Sequence, residues 1–212
     1  MAQKMTRRRG RCTIAAMRVL ADEKRVDELI AALAERLARR LSADPDAPWA
    51  LVGIRSRGDD LARRLAERIG KARFGDRVGS LDITLYRDDL SEAGPQPVVR
   101  TTEIPFDVEG VNIVLVDDVL MSGRSVRAAL QSLMDLGRPR RVWLAVLVDR
   151  GGRELPIAPD EVALNLADEL SGGEQVKVQL KPTDDRDAIV VEADDATPAP
   201  GTAGRRTRGD HA

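Results

Sequence analysis

The stretch VNIVLVDDVLMSGRS, residues 111–125, decides how the rest of the chain is read. Val111-Asn112-Ile113-Val114-Leu115-Val116 is a nearly unbroken apolar run, the pattern of a strand buried on both faces. The run ends on two adjacent acids, Asp117-Asp118. After them Ser122-Gly123-Arg124-Ser125 opens an amphipathic helix over residues 124–136, stopped by Gly137. Buried strand, acidic turn and helix together make one unit of a parallel α/β sheet.

Further units lie on either side. Trp49-Ala50-Leu51-Val52-Gly53-Ile54 is a second buried run, followed by the polar turn Arg55-Ser56-Arg57-Gly58 and a helix over 59–69. Residues 78–86 and 141–148 read as further strands. Upstream, Val26, Leu29, Ile30, Leu33 and Leu37 recur at helical spacing, predicting a long helix from Asp22 to Leu41 that ends at a Pro/Asp-rich breaker over 42–48. The alternation predicts an α/β fold with a mainly parallel central sheet flanked by helices. Residues 87–103 are polar and contain Gly94, Pro95 and Pro97; a connection of that length is a candidate flap. The expected organisation is a basic mobile arm over 1–18, one domain over 19–191 and a disordered tail over 192–212.

Composition removes several function classes. Lys+Arg number 34 against 35 Asp+Glu, giving −1, so the total charge implies no strongly basic surface. Aromatics at 2% argue against a base-stacking platform. A single cysteine, Cys12, excludes a disulfide framework, and a single histidine, His211, excludes most His-based acid–base or metal chemistry. Arg7, Arg8, Arg9 and Arg11 resemble a signal-peptide n-region, but Arg18 and Asp22 interrupt the stretch behind them, and no segment reaches the roughly 18–20 apolar residues of a membrane span. The expectation is a soluble cytoplasmic protein. Its chemistry would rest on carboxylates, arginines, hydroxyls, backbone amides and a borrowed ion.

Ligands of open parallel sheets bind beyond the carboxyl ends of the strands. Adjacent carboxylates there are costly unless they meet hydroxyls or a cation. Ser122, Gly123 and Ser125 then offer small side chains and amides at a helix N-terminus, which favours an anion. One loop thus suits a diol or Mg²⁺ at its acidic start and a phosphate at its end, the layout of a phosphorylated sugar. A phosphoacceptor receiver domain also pairs acids after a strand, but its pair lies near the chain start and lacks the Ser-Gly-Arg-Ser cradle. The turn at 53–59 nearly matches a nucleotide P-loop, yet Asp59 and Asp60 stand where Lys and a hydroxyl are needed. Its arginines and glycines still suit an anion. Arg87, at the root of the flap, is well placed to close over an anionic leaving group.

The segment VLVDDVLMSGRS resembles the phosphoribosyl-pyrophosphate (PRPP) motif of the type I phosphoribosyltransferases. DITLYRDDLS, GRPRRVWLAVLVDRG and RELPI are similar to the PyrR family, pyrimidine-operon regulators that are also uracil phosphoribosyltransferases. The likeness spans residues 19–180 and includes GIRSRGDDLARRLAERI. It implies a type I phosphoribosyltransferase fold with a small hood and a flexible flap. The implied reaction converts uracil and PRPP to UMP and pyrophosphate with Mg²⁺. Carried over by position, Asp117 and Asp118 contact the ribose hydroxyls and hold the metal, mainly through PRPP or water. Val119, Leu120, Met121, Ser122, Gly123, Arg124 and Ser125 complete the PRPP motif, with Met121 to Ser125 around the 5-phosphate. Ser56 and Arg57 belong to the pyrophosphate loop, and Arg87 stabilises departing pyrophosphate. Arg150 and Val176 belong to the hood around the base. The resemblance further implies a homodimer or homotetramer, and a second role binding a hairpin of pyrimidine-operon messenger RNA. An alternative is a regulator that senses UMP or PRPP with little catalysis. The chain departs from the family on the RNA side. Ala31, Ala32 and Glu35 replace Thr, Arg and His, Gly152 replaces a His, and Ala158 and Leu164 stand at basic positions. Arg40 and Arg153 remain. Met121-Ser122 stands where Tyr-Thr is common, keeping the hydroxyl.

Overall fold

Asp22 closes the N-terminus of the first helix, α1 (Glu23–Leu41), by accepting the Arg25 amide at 2.9 Å. The helical-spaced residues Val26, Leu29, Ile30, Leu33 and Leu37 are all buried, forming one stripe against the sheet. This computed structural model describes residues 17–86, 101–170 and 173–193.

Five strands form the central sheet: β2 (Trp49–Ile54), β3 (Val78–Leu81), β4 (Asn112–Leu120), β5 (Arg141–Asp149) and β6 (Glu161–Asn165). Their order is β3-β2-β4-β5-β6, and every pairing is parallel. Helices α2 (Gly58–Ile69) and α3 (Arg124–Leu136) are the crossovers. Trp49, Leu51, Val114, Val116 and Leu147 pack with α1 and α2. Ala50, Val52, Ile54, Ile113, Leu115 and Val146 pack with α3. Both faces of β2, β4 and β5 are covered, which is why these segments read as continuous apolar runs.

A second sheet, order β1-β8-β7, is antiparallel: β1 (Met17–Ala21), β7 (Glu174–Gln179) and β8 (Ala188–Ala193). Its Val178 and Ile189 join the core cluster of α1 and α2. Residues 17 and 18 of the expected arm are therefore strand residues, as are 192 and 193 of the expected tail. The remainder of both, and residues 87–100 of the flap, lie outside the described residues.

Two strand expectations change. The strand expected over 78–86 stops at Leu81, because the Asp82 carboxylate accepts from the Thr84 amide at 2.9 Å and the Thr84 hydroxyl at 2.5 Å. That local bonding turns the chain. The strand expected to end at the acid pair continues through it to Leu120, because β5 runs alongside and pairs Asp117 with Val146, Val119 with Val148 and Leu120 with Asp149.

Candidate active site

The acid pair lies inside a strand, and that fixes its electrostatics. Asp117 is only 6% exposed and Asp118 half-buried. Burial, then the neighbouring Asp118 charge, pushes the Asp117 carboxyl well above the usual range. Burial also raises Asp118, opposed chiefly by the charge of Arg57. Each acid bonds an adjacent amide: Asp118 N–H donates to Asp117 at 3.1 Å and Val119 N–H to Asp118 at 2.9 Å. Such a pair is stabilised by donors or a cation arriving from a ligand. No group of three or more His, Cys, Asp or Glu side chains able to hold a metal occurs among the described residues. Two carboxylates alone fit an ion shared between protein and substrate oxygens, the usual manner of Mg²⁺.

Immediately beyond, a cavity of about 60 Å³ is lined by Asp117, Val119, Leu120, Met121, Ser122, Gly123, Ser125 and Val126. Gly123, at φ 89°, is the N-cap of α3 and supplies a left-handed turn that a side chain would resist. The N-cap Gly123 has no side chain to cap α3, the Ser122 hydroxyl accepts from the Arg124 amide at 3.3 Å, and the first turn of the helix holds no acid. Its positive end is therefore open to an anion. The segment after β5 folds over this loop: Glu154 and Leu155 amides donate to the Ser122 carbonyl at 3.0 and 3.1 Å, and Arg124 pairs with Glu154 at 2.6 Å.

The turn between β2 and α2 reaches the acid pair because two glycines permit it. A Cβ on Gly58 would sit 2.5 Å from the Val116 carbonyl oxygen and 3.3 Å from Asp117 Cα. A Cβ on Gly53 would sit 2.3 Å from Asp59 Cα. The two arginines of this turn part company. Arg55 turns toward β3, donating to the Ser80 hydroxyl at 3.0 and 2.7 Å and pairing with Glu103 at 3.2 Å. Arg57 instead grips Asp184 with its Nε and Nη2 at 2.7 and 2.9 Å. Unlike α3, α2 carries Asp59 and Asp60 in its first turn, so its own dipole is already answered.

The small sheet closes the other side. Arg150 is buried, its amide donates to Leu120 O at 2.9 Å, and its guanidinium donates to the Glu174 carbonyl at 3.1 and 2.5 Å. It therefore anchors β7, the strand that carries half-buried Val176. Ser56, Arg57, Asp117–Ser125, Arg150 and Val176 thus gather at the carboxyl edge of the sheet and the small sheet beside it. Arg87 lies outside the described residues. Sequence reasoning missed Asp184, which is 127 residues from its partner Arg57. Its only local signal is the acidic run Asp184-Asp185 after Pro182.

Residues 22–179 match the family model described as phosphoribosyl transferase domain. The chain is 57% identical over 143 residues to the bifunctional protein PyrR of Chloroflexus aurantiacus, covering 66% of this chain and 77% of that protein. It has the same identity and coverage with the PyrR of Thermus aquaticus. With that of Deinococcus radiodurans it is 53% identical over 142 residues, covering 66% and 76%. Among solved structures it resembles the hypoxanthine phosphoribosyltransferase of Trypanosoma cruzi in fold, with TM-score 0.61, 20% identity and coverage of 84% and 95%.

Proposed function

This chain belongs to the phosphoribosyltransferase family and, within it, to the PyrR proteins; from that premise we propose that it transfers 5-phosphoribose from PRPP to uracil, releasing UMP and pyrophosphate. The observation that carries this reading is the acid pair, Asp117 buried and Asp118 half-buried, running directly into the glycine-capped, acid-free N-terminus of α3. Asp117 and Asp118 accept hydrogen bonds from the ribose hydroxyls, which lowers the cost of their burial. Amides of residues 122–125 take the 5-phosphate, aided by the helix dipole. Ser56 and Arg57 form the diphosphate side, and β7 with Val176 borders the base. Bound Mg²⁺ would neutralise diphosphate charge and help orient the ribose.

Breaking the anomeric bond builds oxocarbenium-like charge on the sugar. In this reading the two carboxylates offset that charge, and Arg57 stabilises the oxygens that become pyrophosphate. No histidine is needed in this scheme. Arg87 would add a further cation as pyrophosphate leaves. A dimer or tetramer in the cytoplasm goes with this reading. Of the described helices, none is long and apolar enough to cross a membrane.

RNA-dependent regulation, the other activity of the PyrR resemblance, has weaker support. Arg40 and Arg153, the basic residues left on the expected face, are engaged internally: Arg40 with Asp160 and Glu161, Arg153 with Asp149. The deciding experiment for the enzyme is incubation of labelled uracil with PRPP and Mg²⁺. UMP is expected, and its absence from folded protein refutes the reading.

A further inference from the structure

The turn between β7 and β8 rests on the first turns of α2. Thr183 donates its hydroxyl to Asp60 at 2.6 Å. Arg64 pairs with Asp187 and donates to the Lys181 carbonyl at 2.9 Å. Asp184 adds the Arg57 contact and is itself fixed by the Leu180 amide at 2.8 Å. These bonds differ in one respect. Those of Thr183 and Arg64 join the turn to the body of α2, whereas Asp184 alone reaches the diphosphate turn.

Its grip on Arg57 is two-pronged, through Nε and Nη2, and Nη1 has no hydrogen-bond partner among the described residues. A guanidinium held along one edge keeps its remaining donors in a fixed direction, the geometry that suits phosphate recognition. Without that grip Arg57 would be free to collapse onto Asp118 or Asp60, the other carboxylates whose charges act on it. We propose that Asp184 is a positioning residue of the diphosphate subsite: it holds Arg57 by one edge, leaves Nη1 as the donor for diphosphate oxygens, and ties that donor to the turn following the base-side strand. This rests on the phosphoribosyl-transfer reading.

The test uses the full chain and four variants: Asp184→Asn, Asp187→Asn, Arg57→Ala and the double variant Arg57→Ala/Asp184→Asn. Calorimetry measures binding of pyrophosphate with Mg²⁺, and binding of UMP, which has no diphosphate. Asp184→Asn is expected to weaken pyrophosphate about tenfold, near the loss of one charge-assisted hydrogen bond, and to raise KM for PRPP similarly. UMP affinity should stay within about twofold, and any fall in kcat should not exceed that of Arg57→Ala. Asp187→Asn should lower Tm without this loss, because it loosens the turn but leaves Arg57 gripped. In the Arg57→Ala background, Asp184→Asn should add nothing. Unchanged or tighter pyrophosphate binding in Asp184→Asn overturns the proposal. So does equal weakening of UMP and pyrophosphate, which marks a merely structural role, and so does a wild-type chain that binds no pyrophosphate. Wild-type protein that shows the binding pattern without making UMP would leave Asp184 in its role and refute the uracil reaction instead.

Discussion

Asp117 holds its carboxyl inside a sheet beside a second carboxylate, and on the proposed reading the ribose hydroxyls offset the cost of ionising it there. Its folded-state pKa is raised by burial and by Asp118. The ionised form therefore weakens the fold at neutral pH, and the penalty fades as pH falls and the carboxyl is protonated. Asp117→Asn is expected to melt at or above the wild-type temperature at pH 7–8, with the gain vanishing toward acid; thermal scans across pH check this. The variant Asp117→Asn/Asp118→Asn should fold yet lose turnover by about 10²-fold or more, because ribose positioning is lost. Near-normal turnover in that folded variant would contradict the assignment. For Arg87, outside the described residues, the proposed role predicts that Arg87→Ala lowers kcat by about 10²–10³. A rise in KM for PRPP alone would make it a binding residue.

The two helices of the site differ at their first turns, and the difference divides the labour between them. α3 follows a glycine N-cap, Gly123, with no acid in its first turn, whereas α2 begins at Gly58 and immediately carries Asp59 and Asp60. The close approach of Gly58 to β4 is what brings the turn of Ser56 and Arg57 beside the acids. Gly58→Ala should destabilise the chain by about 1–3 kcal/mol and impair PRPP binding, as read by denaturant midpoint and KM. The small sheet depends on a different chemistry. The Arg57 hydrogen bond outweighs burial to hold the Asp184 carboxyl below its usual value. Asp187 is lowered too: its burial opposes the shift, but the bonds from Arg64 and the Lys181 amide prevail. Stability from these acids is complete above the unfolded value of about 3.9 and is lost as pH falls below it. Amides of β7 and β8 should therefore lose hydrogen-exchange protection in strong acid before those of β4 and β5. Simultaneous loss would show that the acids do not anchor the small sheet.

At the scale of the whole molecule, Lys+Arg and Asp+Glu nearly cancel, and the arginines of α1 that face β6 meet carboxylates. Arg36 donates to the Val162 carbonyl at 2.5 Å and pairs with Glu161, and Arg40 pairs with Asp160 and Glu161 while lying 4.7 Å from the Trp143 ring centre. On α1, Glu35 is exposed beside half-buried Ala31 and Ala32. Phosphate neutralisation dominates nucleic-acid affinity, and these arginines already have carboxylate partners. Hairpin binding at physiological salt should therefore be weak, insensitive to loop sequence and steeply salt-dependent, with the basic ends of the chain supplying it. A salt titration with the full chain and with residues 17–193 alone checks this. Tight, loop-specific binding by residues 17–193 would restore the two-function reading.

Period and punctuation in the sequence determined α1, β2, α3 and the mainly parallel character of the central sheet, because both-face burial writes itself as unbroken apolar runs and helical burial as a repeating stripe. The PRPP-type segment was legible for the same local reason: its acids, hydroxyl and glycine are contiguous. Tertiary structure alone decided that the acids lie within β4, since strand length there is set by β5 pairing alongside. It decided that Arg55 bonds Ser80 of β3 while Arg57 grips Asp184, although the two arginines are separated by a single residue. It also decided that Asp184 stands behind Arg57. Contacts made across 127 residues leave no period in the chain; they exist only once the sheet and its crossovers have brought the two turns together.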